Sequence, residues 1–198
     1  MRSTKDYYDE NAALLFERYN SAEMTGNYNR FIKYLSAGCS IIDIGCGSGR
    51  DMKYFSSKGF EVRGIDYSLT LSKMAEKYSG CPVDCIDFLS WQADHAYDAF
   101  WANASLLHLT EEELSLFFQT KLQFLRDGGV FYLSMKTDIE TGLDERGRFF
   151  QSFDERLLDD LLMENPCLSV LDRWISEDGL GRDSLKWFCV ILRKKQQV

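Results

Sequence analysis

Proline is nearly absent from this chain, with two in 198 residues. Linkers between domains are usually built from proline, glycine and serine, and no such tract, internal repeat or low-complexity stretch is present. The sequence therefore predicts one domain over residues 1–198, long enough to bury a substantial core. Histidine is as scarce, occurring only at 95 and 108. The six cysteines, at 39, 46, 81, 85, 167 and 189, form no C-x-x-C pair, and Cys81 and Cys85 are four apart. Too few ligands fall at zinc spacing for a metal site to be expected. The thiols read as reduced and mostly buried. No apolar run approaches the ~18–20 residues of a bilayer span. The opening MRSTKDYYDENAALLF is acidic early and lacks the apolar core of a secretory signal, so a soluble cytoplasmic protein is expected. Positive charge is also short, 23 Lys and Arg against 31 Asp and Glu, a net −8. That balance argues against nucleic acid as a partner. The one tight basic cluster, Arg193-Lys194-Lys195, reads as a solvated tail. With 45% apolar and 14% aromatic residues, disorder is not expected over most of the length.

What is present is organised around Ile41–Arg50, IIDIGCGSGR. A short apolar run of buried-strand type leads into a loop with glycines at 45, 47 and 49, followed by a segment of helical character over Ser48–Lys58. Such a loop admits a ligand close to the backbone, at the positive end of the next helix. Before it, residues 3–20 have helical periodicity through Tyr8, Ala12, Leu15, Phe16 and Tyr19, and a second helix is predicted over Tyr28–Leu35. Strands are predicted at Ser40–Ile44, Phe60–Ile65, Val83–Ile86, Tyr97–Ala102 and Val130–Met135. Helices fall between them from Tyr67 and Ser68 to Lys77 and from a capping box at Thr110–Glu113 to Leu125. Asp127-Gly128-Gly129 reads as a turn. A polar stretch, Lys136–Arg148, precedes a helix over Phe153–Met163 capped by Ser152 with Glu155. Two apolar strands, Leu168–Ile175 and Leu185–Leu192, are joined by the loop SEDGLGRD. Alternation of strand and helix followed by consecutive strands predicts an α/β, doubly wound, Rossmann-like three-layer sandwich. Its sheet would be mostly parallel and seven-stranded, with an antiparallel C-terminal hairpin.

A glycine loop after the first strand and an acid ending the second form a nucleoside-binding arrangement; Asp66 lies 19 residues beyond Gly47. Position 50 discriminates between ligands. The nicotinamide fingerprint G-x-G-x-x-G places its last glycine there, and this chain has Arg50. No G-x-x-x-x-G-K-[ST] occurs, which disfavours a nucleoside triphosphate on a P-loop. Asp43–Asp51 resembles the first motif of the class I S-adenosylmethionine-dependent methyltransferases. Gly64–Ser68 resembles their second motif, Ile86-Asp87-Phe88 their third, and Tyr97–Phe100 with Asn103 their fourth. Leu125–Val130 resembles the LxxGG turn before their fifth strand. The five stand in order from about residue 40 to 136, and GRFF with the closing strands resembles the small single-domain bacterial branch, including tellurite-type enzymes.

The resemblance implies that Gly45, Cys46 and Gly47 face the methionine part of S-adenosylmethionine through their backbone. Asp66 would take the ribose hydroxyls, Tyr67 would pack on the adenine, Asp87 would accept from its amino group with Phe88 alongside, and Asn103 would lie near the ammonium and sulfonium. Arg50 and Ser68, inside the same motifs, count with the cofactor-binding residues. Asp43 and Asp98 either serve the ligand or only satisfy loop amides. The implied segments are a helical lid over 1–38, a cofactor core over 39–136, and a substrate-side loop, helix and hairpin over 137–198. The implied chemistry is in-line methyl transfer to a small molecule, leaving S-adenosylhomocysteine, by a monomer or homodimer without membrane attachment. Cys46 reads as a small packing residue. His108, just beyond the fourth strand, is the candidate base, with a structural role as its alternative; His95, in a polar loop, is expected to be solvent-exposed. Tyr8, Tyr19, Lys136, Arg146 and Arg148 are candidate substrate contacts, the cations suiting an anionic acceptor. Three alternatives stay open: RNA or protein methylation, since Arg148-Phe149-Phe150 resembles a segment of the wobble-uridine enzymes; a non-catalytic cofactor-binding protein; and a nicotinamide oxidoreductase.

Overall fold

The computed structural model describes residues 4–182 and 184–196. Two short helices, α1 (Thr4–Glu10) and α2 (Ala12–Asn20), and α3 (Thr25–Ile32) precede β1 (Ser40–Ile44). There follow α4 (Arg50–Ser57), β2 (Glu61–Asp66), α5 (Leu69–Ser79), β3 (Val83–Cys85) and β4 (Tyr97–Asn103). A 3₁₀ turn at Leu106–His108 leads to α6 (Glu111–Lys121) and β5 (Leu125–Thr137). The chain ends with β6 (Gly142–Leu143), β7 (Phe149–Phe150), α7 (Glu155–Glu164), β8 (Leu168–Glu177) and β9 (Lys186–Lys194). Among the described residues no helix is long and apolar enough to cross a membrane.

Seven strands form one sheet in the order β3-β2-β1-β4-β5-β9-β8; β1 to β5 run parallel, and β9 pairs antiparallel with both β5 and β8. The expected doubly wound sheet with an antiparallel terminal pair is the observed one. Period-2 alternation sends successive residues to opposite faces. Ile42, Phe100 and Phe131 join a cluster with α6 and α7, while Ile41, Trp101 and Tyr132 join Phe31 of α3 and Phe55 of α4. The Trp101 and Tyr132 rings stack at 3.9 Å across β4 and β5. Full burial of side chains of this size is worth roughly 1.5–3 kcal/mol each, so both layers are firmly attached. From β1 the chain proceeds outward through β2 and β3, then returns to place β4 on the other side of β1. That reversal opens a crevice at the C-terminal ends of β1 and β4, where open α/β sheets bind ligands.

Several elements depart from expectation. The N-terminal helix breaks at Asn11, which leaves helical geometry at ψ 12° and turns its amide onto the Tyr7 carbonyl at 2.8 Å. Ser3 of that helix and Asp183 of the closing loop lie outside the described residues. The cap of α7 is Asp154, which accepts from Leu157 N, not Ser152. Phe153 N is tied to the Lys136 carbonyl at 2.9 Å, and this holds the chain extended one step further. The expected turn at Asp127–Gly129 is an irregularity inside β5, which begins at Leu125 opposite Tyr97. The polar stretch after β5 folds into the small antiparallel pair β6–β7. The basic triplet is not a solvated tail. Lys194 donates to the Leu122 and Leu125 carbonyls and Lys195 to that of Pro166, as cations do at helix C-termini. Of the six free thiols three are buried, and Cys85 is exposed.

Candidate functional site

A cavity of about 810 Å³ opens over the C-terminal ends of β1, β2, β4 and β5. Its floor is the loop after β1. Gly45 has φ +77°, and a Cβ there would collide with Ser105 and stand 3.2 Å from the Phe88 ring. Gly49, also at φ +77°, lies so close to α5 that a Cβ would meet the Ala75 carbonyl at 2.8 Å. The loop is thus bare backbone held against the following turn and helix, and this opens a cradle above Gly45–Gly47.

Asp66 ends β2 beside this cradle. Its two carboxylate oxygens accept from Gly47 N at 2.9 Å and Ser68 N at 2.8 Å. Burial pushes its pKa up to about 6, against the opposing pull of those amides. Each oxygen keeps a lone pair for a further donor. Ser68 is buried as the cap of α5, and its hydroxyl donates to Asp9 Oδ1 at 2.6 Å, which ties α1 over the site. Tyr67 is half exposed at the cavity wall. Asp87 forms a turn of its own, Oδ1 accepting from Leu89 and Ser90 N, while it and Phe88 line the cavity. The buried ammonium of Lys121 donates to the Leu89 and Trp91 carbonyls and clamps that turn onto α6. Nothing in the sequence marked this lysine, because it stands in an ordinary helical register.

Beneath the loop lies a buried polar network. Asp51 Oδ1 accepts from Tyr28 Oη and Arg50 Nε, both at 2.5 Å; Oδ2 accepts from Trp101 Nε1 at 2.8 Å and Asn103 Nδ2 at 3.0 Å. Burial alone would raise the Asp51 carboxyl; the Arg50 guanidinium and the hydrogen bonds reverse this and hold it below the ordinary value. Arg50, from the glycine loop, lines the cavity, but its nitrogens face inward to Asp51, Tyr28 and the Tyr19 carbonyl. Asn103 has its amide donor on Asp51 and accepts from Ser134 Oγ, so its orientation is fixed from both sides. Asp43, fully buried below, has Oδ2 without a hydrogen bond among the described residues, and burial with the Asp51 charge pushes its pKa well up. Asp98 is away from the cavity: it accepts from Ser40 N and Oγ and from Arg126 at the opposite end of the sheet. Cys46 is buried, and burial pushes its thiol well up, as a packing residue requires.

The other half of the cavity is built from three separate segments. His108, in the 3₁₀ turn after β4, has Nδ1 2.6 Å from the Phe149 carbonyl and Nε2 2.8 Å from Tyr8 Oη. A carbonyl only accepts, so Nδ1 carries the hydrogen and Nε2 accepts from Tyr8. Burial lowers the His108 pKa to about 4, which keeps the ring neutral. Tyr19, Lys136, Arg146 and Arg148 line the same cavity, so the structure brings every expected substrate contact together with Tyr8 and His108. Arg146 donates to Tyr7 Oη at 2.9 Å. His95 stands apart, exposed and paired with Asp94.

Comparison with known proteins agrees with this geometry. Residues 41–129 match the family model of the methyltransferase domain. The chain is 30% identical over 109 residues to phosphoethanolamine N-methyltransferase 1 of Zea mays, covering 50% of this chain and 21% of that one. It is 24% identical over 148 residues to malonyl-[acyl-carrier protein] O-methyltransferase of Pseudescherichia vulneris, covering 71% and 56%. It thus spans from about a fifth to just over half the length of these curated relatives. Among solved structures it superposes on Burkholderia thailandensis 1,6-didemethyltoxoflavin-N1-methyltransferase, with bound 1,6-didemethyltoxoflavin and S-adenosylhomocysteine, at TM-score 0.72 and 19% identity, over 94% of this chain and 90% of that one.

The residues fit S-adenosylmethionine. The glycine cradle leaves room for its amino-acid end, Asp66 has lone pairs for a ribose diol, and Ser105 Oγ, buried at the cradle, lacks a hydrogen-bond partner among the described residues. A carboxylate at Asp66 beside the cradle suits a ribose diol far better than a pyrophosphate. Residues 41–129 thus resemble the methyltransferase domain family, and the chain shares its fold with the solved S-adenosylhomocysteine-bound methyltransferase.

Proposed function

We propose that this chain methylates a small-molecule acceptor bearing an acidic O–H or N–H group. The observation that carries this reading is the Phe149–His108–Tyr8 relay, aimed into the same cavity as the glycine loop and Asp66. When bound, S-adenosylmethionine supplies an electrophilic methyl group on a positively charged sulfur. The chain's own residues supply alignment, dryness and a proton path. Gly45–Gly47, Asp66, Asp87 and Phe88 bind the cofactor half, and the Asp51 network fixes Asn103 at its edge. Tyr8 Oη takes the acceptor's proton while passing its own to His108 Nε2, and the Phe149 carbonyl stabilises the imidazolium through Nδ1–H. A positioned base of this kind is worth about 10²–10⁴ in rate. Alignment of the two reactants contributes up to ~7–11 kcal/mol more.

Residues 4–38 act as the roof. Asp9 receives Ser68 Oγ and Thr70 N, Tyr7 receives Arg146, and Glu23 N donates to the Gly179 carbonyl. A roof tied down on both sides favours a compact acceptor over a polymer. Arg148-Phe149-Phe150 supports the same choice: Arg148 lies against the Tyr7 and Phe150 rings, not on an open face that could track RNA. Incubation of the chain with methyl-labelled S-adenosylmethionine and a fractionated lysate tests the proposal. Label in the small-molecule ultrafiltrate supports it; label confined to RNA or protein, or no transfer, refutes it.

A further inference from the structure

Where β5 reaches the cavity, Lys136 enters a corner formed by Arg148, Arg182, Tyr7, Phe150 and Trp187. The two guanidinium groups are already matched. Arg148 donates from Nε and Nη2 to Asp144, at 3.0 and 2.6 Å, and lies over the Tyr7 and Phe150 rings. Arg182 makes a two-pronged pair with Asp178, at 2.8 and 2.6 Å, and Trp187 Nε1 adds a third donor to the same carboxylate. Lys136 differs. Its ammonium lies 3.7 Å from the centre of the Phe150 ring and, among the described residues, makes no hydrogen bond or ion pair.

A half-buried ammonium whose partner is the face of one phenyl ring is held only weakly, because a ring face does not replace a hydrogen-bond acceptor. The fold does not stabilise this charge: burial, then the nearby Arg148 and Arg182, bring the Lys136 pKa down to about 8, with Asp144 and Asp178 only partly opposing. Such a group is kept for something that arrives. With Arg148 and Arg182 paired to their carboxylates, Lys136 is, among the described residues, the unpaired cation against Phe150, while Arg146, which donates to the neutral Tyr7 hydroxyl, is exposed at the cavity wall. Glu145 and Glu177, exposed at the rim, oppose any second negative charge on the incoming molecule.

Resting on the methyltransferase reading, we propose that Lys136 holds a single carboxylate of a flat, aromatic acceptor. The Phe150 ring that carries Lys136 also touches the His108 ring, at 4.9 Å between centres. The anchoring carboxylate and the atom facing Tyr8 therefore belong to one compact molecule. A phosphate dianion is the poorer fit, because Glu145 and Glu177 stand at the rim and Phe150 leaves Lys136 one face for an anion.

Calorimetry on the full chain saturated with S-adenosylhomocysteine tests the proposal. The probes are aromatic monocarboxylates (4-hydroxybenzoate, 3-(4-hydroxyphenyl)propanoate, indole-3-acetate), each paired with its carboxamide and with its phosphonate. At least one carboxylate should bind about 10- to 100-fold tighter than its carboxamide, the range of one buried charge-assisted hydrogen bond. Lys136→Met should erase that difference and Lys136→Arg should retain part of it, both with unchanged affinity for S-adenosylhomocysteine, which also reports correct folding. Carboxamides binding as well as carboxylates, a preference for phosphonates, an unaffected Lys136→Met, or no binding by any carboxylate would overturn it. Failure of S-adenosylhomocysteine itself to bind would overturn the methyltransferase reading instead, so the two failures are distinguishable.

Discussion

Asp51→Asn is the most informative single substitution in the scaffold of the site. The carboxylate accepts four hydrogen bonds, two on each oxygen, and its side chain is 7% exposed. An amide keeps one accepting oxygen and replaces the other with an NH₂ group. Whichever way it turns, two donors lose their acceptor and face another donor. The Arg50 guanidinium, only 18% exposed, loses its counter-charge as well. Removing one partner of a buried pair costs about 3–5 kcal/mol. For a chain of this length that lowers Tm by ~6–20 °C. The pH dependence adds a second readout. The folded-state pKa of Asp51 is depressed, so its stabilisation is present above the ordinary carboxylate value of 3.8 and is lost as pH falls below it. Urea titrations between about pH 3 and 7 should therefore show the wild-type advantage over Asp51→Asn shrinking at the acid end. A difference under about 1 kcal/mol at pH 7 would refute the view that one buried carboxylate ties the glycine loop to β4.

Three further substitutions probe other parts of the site. Gly49→Ala places a Cβ at 2.8 Å from the Ala75 carbonyl on a left-handed backbone, and should destabilise by about 1–3 kcal/mol in urea titration; an unchanged midpoint would contradict the close contact of loop and α5. Lys121→Met leaves the Leu89 and Trp91 carbonyls unsatisfied, so stability should fall by about 1–3 kcal/mol and S-adenosylhomocysteine should bind more weakly through the loosened Asp87–Phe88 turn; unchanged values in both measurements would exclude the clamp. Tyr8→Phe should lower kcat on the acceptor found by label transfer by about 10²–10⁴ with cofactor affinity intact. Because His108 is held near 4 and is neutral above it, wild-type kcat at saturating S-adenosylmethionine and acceptor should be flat from about pH 5.5 to 8, and an inflection near 6.5 would argue against the buried relay.

The glycine loop and its neighbours were legible because their structure is local. Positive-φ glycines, an acid at the end of the second strand and a capping box are each specified within a few residues, and Thr110 and Glu113 form that box. The sheet was legible for a related reason: continuous apolar runs mark strands buried on both faces. The half around Tyr8 and His108 depends on contacts the chain order hides. Tyr8 and His108 are separated by 100 positions, and the carbonyl that sets the His108 tautomer belongs to a strand of two residues, too short for any periodicity. The polar stretch after β5 read as a break because its charges pair with each other, Asp144 with Arg148, inside a small hairpin. Lys194 and Lys195 read as tail for the opposite reason: their acceptors are backbone carbonyls, which leave no mark in the sequence.

The central claim is that the loop beginning at Gly45, together with Asp66, holds S-adenosylmethionine. Calorimetric titration with S-adenosylhomocysteine, on the wild-type chain and on Asp66→Ala, tests it most directly. One site per chain is expected, with affinity falling about tenfold per pH unit below the Asp66 pKa of about 6 and lost or greatly weakened in Asp66→Ala. No binding by the wild-type chain, or binding that neither pH nor Asp66→Ala alters, would contradict it.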